Sequence, residues 1–230
     1  MSTQQHLARV GAAAAMGGAV TLFIATLLHP MSADPNDPSA AFAEYAADRV
    51  WVASHLGQFV GVAALGVALV ALGATMEAGR PAAWARIGVV GTAASVATAA
   101  ALQAVDGVAL KVMVNRWMQA NGEARARAFE GAFAVRQIEI GMASLLSVLF
   151  GLTIVAFGIS MLLGRRFPTW LGWLGLLGGL GTLAAGIAQA YTGFSALAMM
   201  LSMPAACVLL AWAIVVGAFL WRLAPVLSGT

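Results

Sequence analysis

The sequence predicts an all-α, polytopic transmembrane helical bundle with six spans. Of its 230 residues, 61% are hydrophobic and only 9% are charged, and the mean hydropathy is +0.89. Apolar segments long enough to cross a bilayer recur along the chain, which is not typical of a soluble globular protein. Residues 1–230 are therefore interpreted as a single integral membrane domain in contact with the lipid bilayer.

The net charge of +3 does not indicate a nucleic-acid-binding protein. The 12 basic residues are spread over the ends of the apolar segments and form no basic stripe. In a membrane protein such a distribution reports topology. The single cysteine, Cys207, lies inside an apolar segment, so an intrachain disulfide and every multi-cysteine metal motif are excluded.

The spans are apolar segments bounded by turn residues. Pro30 ends the first span because proline lacks the N–H group that continues a helix. This span is interpreted as a retained helix and not as a signal peptide, since no small-residue cleavage site follows it. The six spans are predicted at residues 10–29, 51–76, 84–113, 132–163, 170–191 and 196–221.

The loop over residues 30–49 is predicted to contain a short helix. Asp37 followed by Pro38 is typical of an N-cap and the first helical position. Phe42 and Tyr45 share one face of this helix. We therefore expect it to lie on the membrane surface, next to an interfacial tryptophan, Trp51, at the start of the second span.

The third and fourth helices are predicted to project outward from the membrane as a hairpin. A continuous helix from Trp84 to Gln119 would be about 54 Å long at a rise of about 1.5 Å per residue, against a hydrocarbon core of about 30 Å. The Asn121-Gly122 turn would join the two helices, and residues 114–131 would form the hairpin tip.

The fifth span, residues 170–191, is rich in glycine. In lipid this composition indicates a smooth helix face for close helix packing and not a nucleotide-binding loop. It also makes this span a candidate for homo-oligomer contacts. Its glycines are Gly172, Gly175, Gly178, Gly179, Gly181 and Gly186.

The arginines predict the orientation. The N-terminus, the second-to-third turn, the fourth-to-fifth turn and the C-terminus carry six arginines and only one acid, Glu77. Because basic residues are enriched on the cytoplasmic side, both termini are predicted to be cytoplasmic, and the acidic loop and the hairpin face outward. The six are Arg9, Arg80, Arg86, Arg165, Arg166 and Arg222.

The hairpin turn predicts which polar residues lie level with one another. Asp106 and Arg136 are equally distant in sequence from Asn121, and so are Gln103 and Glu139. Two structural ion pairs follow, Asp106 with Arg136 and Lys111 with Glu130. Glu139 is left as a carboxylate that faces only the Gln103 amide.

Counting residues from the cytoplasmic turns predicts a layer of polar side chains near the outer hydrocarbon boundary. Polar residues also collect at any headgroup interface, so the layer is open to a purely interfacial interpretation. The candidate ligand-binding residues in it are His55, Glu139, Gln103, Gln58, Gln189 and Tyr191.

Two cofactors are considered for this layer. His29, His55, Asp106 and Glu139 are candidate ligands for zinc or ferrous iron, although no motif places two ligands on one helix. His29 and His55 are also candidate axial ligands of a single b-type haem. Neither cofactor is required by the sequence.

Four short motifs stand at or near the ends of the predicted spans. They are His29-Pro30, Trp51 with Ser54-His55-Leu56, Asp106-Gly107 and Arg165-Arg166-Phe167-Pro168. Together they resemble those of a broad group of bacterial six-span inner-membrane proteins that has no established activity. The resemblance covers most of the chain in outline. It implies the six-span fold and a location in the bacterial inner membrane, and it implies no catalytic residue.

Two classes of function remain open from the sequence. The first is an inner-membrane protein whose outward-facing polar layer binds a small ligand or stabilises a partner subunit. The second is a membrane-embedded metal-dependent enzyme, such as a hydrolase, or a single-haem protein. In the enzyme, His29, His55, Asp106 and Glu139 would serve as metal ligands or general base. No relay of ionisable groups crosses the inner half of the bundle, which disfavours transport.

Overall fold

The computed structural model describes residues 2–229, and within that range it is helical without a β-strand. This confirms the predicted all-α class. The elements are α1 (Thr3–Leu27), α2 (Pro38–Ala47), α3 (Trp51–Ala74), α4 (Arg80–Gln103), a π-helical segment (Ala104–Leu110), α5 (Lys111–Gln119), α6 (Gly122–Leu163), α7 (Thr169–Thr192), α8 (Ala196–Leu223) and a 3₁₀ segment (Ala224–Gly229).

Six helices are long and apolar enough to cross a membrane, as predicted. The third is continuous from Arg80 to Gln119 and comprises α4, the π-helical segment and α5. The first begins seven residues earlier than expected, at Thr3, because Ser2 and Gln5 form a capping box that satisfies the first backbone N–H groups. The protein is thus a multi-pass membrane protein in contact with lipid.

The glycines of α7 are used for packing within the chain. A Cβ atom on Gly179 would lie 2.9 Å from the Gly151 carbonyl oxygen of α6, and one on Gly178 would lie 2.4 Å from Leu209 Cδ2 of α8. Small residues allow helix backbones to approach this closely in lipid. This confirms the predicted close packing. The homo-oligomer contact through residues 170–191 stays a prediction.

The helices α5 and α6 form a hairpin joined by Ala120 and Asn121. Asn121 is the N-cap of α6, and Gly122 follows in a left-handed conformation with φ of 56°. Glycine adopts this conformation without a steric penalty. The turn therefore lies where the sequence predicted it. How far the hairpin projects beyond the bilayer stays a prediction from helix length.

The short helix α2 packs its apolar face on this hairpin and on the start of α3. Its apolar residues Phe42 and Tyr45 are buried in a cluster with Trp51 of α3 and Trp117 of α5. Lys111 holds the end of α2, since its Nζ donates to the carbonyl oxygens of Tyr45, Ala46 and Asp48 at 2.6, 2.9 and 2.7 Å. A cation is favourable at a helix C-terminus because it satisfies the last carbonyls.

The opposite end of the bundle carries the arginine-rich loops. The Arg165 backbone N–H donates to Glu77 Oε1 at 2.9 Å, and the Arg166 side chain donates to the Thr75 carbonyl. These two hydrogen bonds hold the loop between α3 and α4 against the loop between α6 and α7. The two terminal segments also meet, since the Ser2 hydroxyl donates to the Leu227 carbonyl at 3.2 Å.

Candidate functional site

Three potential metal ligands converge from three separate parts of the chain. His29 follows the end of α1, His55 lies near the start of α3, and Asp106 lies in the π-helical segment. One ligand atom from each lies within 4.8 Å of the other two. His55 is 1% exposed, and the other two are partly buried. The structure thus brings together three of the four predicted metal candidates.

Trp51 positions this cluster. Its ring centroid lies 5.0 Å from that of His29 and 4.4 Å from that of His55. Its indole N–H donates to the Asp106 carbonyl oxygen at 3.1 Å, which ties the start of α3 to the π-helical segment. The sequence indicated only an interfacial tryptophan here, and the fully buried ring that contacts both imidazoles could not be read from it.

The π-helical segment aims Asp106 at His55. A π-helix has more residues per turn than an α-helix, so it rotates the side chains that follow relative to a regular helix, and such segments are frequent at functional sites. Asp106 Oδ2 lies 3.1 Å from His55 Nε2. Gly107 makes this approach possible, because a Cβ atom there would lie 2.5 Å from His55 Cβ.

Both imidazoles bind a backbone carbonyl through Nδ1. His29 Nδ1 lies 2.8 Å from the Pro30 oxygen, and His55 Nδ1 lies 2.7 Å from the Trp51 oxygen. A carbonyl only accepts, so each Nδ1 carries the proton and a neutral ring keeps its lone pair on Nε2. The backbone thereby selects the tautomer that metal-binding histidines use.

This arrangement leaves two acceptors face to face. In the neutral ring, His55 Nε2 and the Asp106 carboxylate both present lone pairs, and Asp106 Oδ1 is buried without a partner among residues 2–229. A cation or an additional proton between them resolves the conflict. Ligand atoms about 2.0–2.2 Å from one ion lie about 3.0–3.5 Å from each other, and the 3.1 Å separation fits that requirement.

His29 is poised as a neutral ligand. Burial, with a further contribution from His55, lowers the pKa of His29 below its ordinary value. Its loop is fixed by Glu44 of α2, whose carboxylate accepts from the backbone N–H groups of Ser32 and Ala33 at 2.9 and 3.0 Å. A neutral imidazole held in this way can ligate a cation without first losing a proton.

Arg136 and Glu139 form a buried ion pair on α6. Arg136 Nη1 donates to both Glu139 oxygens, at 2.8 and 2.7 Å, and the two residues are 6% and 2% exposed. The predicted pairs Asp106 with Arg136 and Glu139 with Gln103 are therefore wrong. The π-helical segment turns Asp106 toward α3, and spacing of i,i+3 on one helix lets Arg136 reach Glu139.

Aromatic rings flank the Arg136 guanidinium. Its central carbon lies 5.4 Å from the Tyr45 ring centroid and 4.6 Å from that of Phe194. Burial raises the pKa of Tyr45 to about 12, so the phenol stays neutral beside the cation. Sequence reasoning did not assign Tyr45 or Phe194 to the site. The apolar face of α2 could have indicated that Tyr45 is buried against the bundle, whereas no sequence pattern around Phe194 indicates its contact with Arg136.

The predicted pair of Lys111 with Glu130 is also wrong. Lys111 donates to three carbonyls at the end of α2, and Glu130 is exposed. Both residues lie outside the metal-ligand cluster. Lys111 binds α2 instead because a lysine with three N–H donors gains more from three unsatisfied helix-end carbonyls than from a solvated carboxylate.

The remaining candidates divide into buried amides and an exposed phenol. Gln103 donates to Gln58 Oε1 at 3.3 Å, which links α4 with α3. Gln103 Oε1 and Gln189 Nε2 are buried and have no partner within the described residues. Tyr191 is 87% exposed and does not belong to the cluster. The amides extend the polar layer without contributing a metal ligand.

The two histidines do not fit a bis-histidine haem. Their ring centroids lie only 5.0 Å apart and the planes are tilted by 55°. A haem iron bound by both would require the porphyrin to separate the rings, and Trp51 also contacts both of them. The packing therefore disfavours the predicted haem alternative. A single ion requires only that the three ligand atoms, which lie within 4.8 Å of one another, move slightly closer together.

In comparisons with protein-family models, curated proteins and solved structures, nothing matches this chain significantly.

Proposed function

We propose that this protein binds one divalent transition-metal ion, zinc or ferrous iron, through His29, His55 and Asp106. The observation that carries the proposal is the pair of Nδ1 hydrogen bonds to the Pro30 and Trp51 carbonyls, which leaves both Nε2 lone pairs available beside one carboxylate. Metal-bound histidines almost always donate their other ring N–H to such an acceptor.

The ligand set supports a reactive site in preference to a structural one. Structural zinc sites use four protein ligands, whereas catalytic zinc uses three, and two histidines with one carboxylate hold non-haem iron with open positions. An ion with an open position can bind a small ligand, activate water or polarise a carbonyl or phosphoryl group. This is the chemistry of a metal-dependent enzyme, with hydrolysis as one example.

Metal analysis of the purified protein tests the proposal. We expect about one equivalent of bound zinc or iron for the protein, and loss of affinity by more than about 100-fold in Asp106→Asn, since losing even an outer-shell hydrogen bond weakens metal binding by about 10–100-fold. Glu130→Gln is the matched control, because that carboxylate is exposed and lies outside the cluster. Equal metal content in both variants, or none in the wild type under metal-replete conditions, would refute the site.

We further propose that the protein lies in the bacterial inner membrane with this site at the outer side. The arginine-rich loops around Glu77 and Arg165 lie at one end of the bundle, and basic loops favour the cytoplasm. The metal-ligand cluster lies near the other end of α3, which begins at Trp51 and ends at Ala74.

Thiol labelling tests this orientation. In a Cys207→Ala background, Asn36→Cys and Asn121→Cys are expected to react with an impermeant reagent on intact spheroplasts, because both side chains are exposed near the outer end. Ala78→Cys, exposed in the loop at the opposite end, is expected to react only after lysis. Labelling of Ala78→Cys alone in intact spheroplasts would show the inverse orientation.

A further inference from the structure

We propose that Arg136 recognises an anionic oxygen group, a phosphate or a carboxylate, on the ligand that reaches the metal ion. This inference rests on the metal site of the proposed function and adds the chemical class of the ligand. It makes Arg136 a ligand-binding residue. Glu139 is then the internal carboxylate that accepts hydrogen bonds from Arg136 Nη1 when no ligand is bound.

The first support is the set of donors that Glu139 leaves unused. Both Glu139 oxygens accept from the same nitrogen, Nη1 of Arg136. A guanidinium has five N–H donors, and the Nε and Nη2 groups donate to no protein acceptor in the part of the chain that the structure describes. Neither nitrogen is among the fully buried atoms that lack a partner, so both stay accessible to an acceptor from outside the protein although the residue as a whole is only 6% exposed.

The second support is the rigid position of the cation. The ring of Phe194, in the turn between α7 and α8, lies 4.6 Å from the guanidinium carbon, and the Tyr45 ring of α2 lies 5.4 Å from it. Aromatic faces attract a guanidinium and restrict its rotation. Arg136 is therefore oriented before a ligand arrives, and its planar fork suits two oxygens of a carboxylate or phosphate.

The third support is proximity to the metal ligands. The Tyr45 ring that contacts Arg136 also lies 6.4 Å from the His29 ring. The Tyr45 ring thus lies next to both the guanidinium and a metal-ligating imidazole, so a ligand that extends past this ring would reach the ion and Arg136 together.

The charge balance favours an anion. With neutral histidines, the carboxylates of Asp106 and Glu139 oppose one guanidinium and one divalent ion, which leaves a positive excess in a buried site. A positive excess in a region of low dielectric constant attracts an anion strongly. The phosphate or carboxylate could belong to a soluble molecule or to a lipid headgroup, and these sources are separated below.

The test uses cobalt, whose visible spectrum reports ligand changes at the ion. Detergent-purified protein is loaded with Co²⁺ and titrated with inorganic phosphate, with acetate, and with acetamide as the neutral control. We expect saturable spectral changes with the anions only. Glu139→Gln should bind the anions more tightly, because it frees Arg136 Nη1. The double variant Arg136→Gln/Glu139→Gln should bind them at least about tenfold more weakly, with unchanged Co²⁺ affinity.

A lipid arm identifies the source of the anion. The same spectra are recorded in phosphatidylcholine nanodiscs with and without phosphatidic acid. A response to phosphate or acetate in detergent indicates a soluble ligand, and a response only to phosphatidic acid indicates a headgroup. Either result supports the inference when the double variant loses it.

The outcomes separate the two proposals. Suppose that Co²⁺ binds, but the anions change its spectrum equally in Glu139→Gln and in the double variant, or change it neither in detergent nor in nanodiscs. The role of Arg136 is then refuted and the metal site stands. If Co²⁺ does not bind to the wild type, the proposed function fails and the inference fails with it. Should the double variant not fold, Arg136→Lys/Glu139→Gln replaces it, and its anion affinity must fall because lysine lacks the planar fork.

Discussion

Replacing Gly107 by alanine is expected to destabilise the protein and to abolish metal binding. The new Cβ would lie 2.5 Å from His55 Cβ, closer than such atoms approach each other in proteins, and would make a further tight contact of 3.0 Å with His55 Cγ. His55 Cβ is fixed to the backbone of α3 and cannot rotate away. The π-helical segment must therefore move away from α3, at a cost of about 1–3 kcal/mol, as is typical of overpacking.

The loss of metal binding follows from the same displacement. The contact of Asp106 Oδ2 with His55 Nε2 at 3.1 Å spans the interface that Gly107 keeps close, so separating the two segments removes one ligand from the site. The free energy of unfolding is measured by titration with a denaturing detergent, and metal affinity by titration with Co²⁺. Gly107→Val should have a larger effect on both.

Gly141→Ala is the matched control. Gly141 lies in α6, and a Cβ there would meet nothing within 4 Å. Alanine favours a helix over glycine by about 1 kcal/mol, so this variant should be as stable as the wild type or slightly more stable, with full metal affinity. Wild-type metal binding by Gly107→Ala would show that close packing of the π-helical segment on α3 is not needed for the site.

The membrane fold was predictable because its signals are local. Six helices of membrane length follow from hydropathy alone, and the N-cap of α2 follows from Asp37-Pro38, where the Asp37 side chain indeed accepts from the Ser39 and Ala40 N–H groups at 3.0 and 3.2 Å. The turn at Asn121 was equally local. In each case the residues that determine the structure are neighbours in the sequence.

The pairing of polar residues was predicted less well because it depends on helix phase. Regular α-helices on both sides of Asn121 would place Asp106 level with Arg136, but the π-helical segment Ala104–Leu110 interrupts the regular helix on one side. No composition rule identifies a π-helical segment in advance. The types of the metal ligands were nevertheless recognisable, since His29, His55 and Asp106 are rare ionisable groups at similar depth in an apolar chain.

The contacts of α2 show a second limit. An amphipathic helix of ten residues can lie on a membrane or on protein with the same apolar face. The choice depends on Lys111 and Glu44, whose partners are backbone groups distant in sequence. Backbone donors and acceptors carry no signature in a sequence, so this docking, and the place of Tyr45 beside Arg136, could not be derived from it.

Removing the charge of Arg136 alone is expected to have the other large effect on stability. Arg136→Gln leaves the Glu139 carboxylate, only 2% exposed, without the cation that accounts for both of its hydrogen bonds. Breaking a buried ion pair by removing one partner typically costs about 3–5 kcal/mol, because an uncompensated charge stays buried. Unfolding titrations of Arg136→Gln and Glu139→Gln, at one pH and in one detergent, measure the two single losses.

The double variant Arg136→Gln/Glu139→Gln distinguishes a direct pair from two independent residues. It removes both charges and leaves two amides of similar shape, so its loss of stability should be clearly smaller than the sum of the single losses. Arg127 and Glu123 are the control, since that pair also lies on α6 at 3.2 Å but is largely exposed, and its cycle should show little coupling. Additive losses for Arg136 and Glu139 would mean that solvent or another group compensates each charge separately, and the guanidinium would then not be held in place by Glu139 beside the metal ligands.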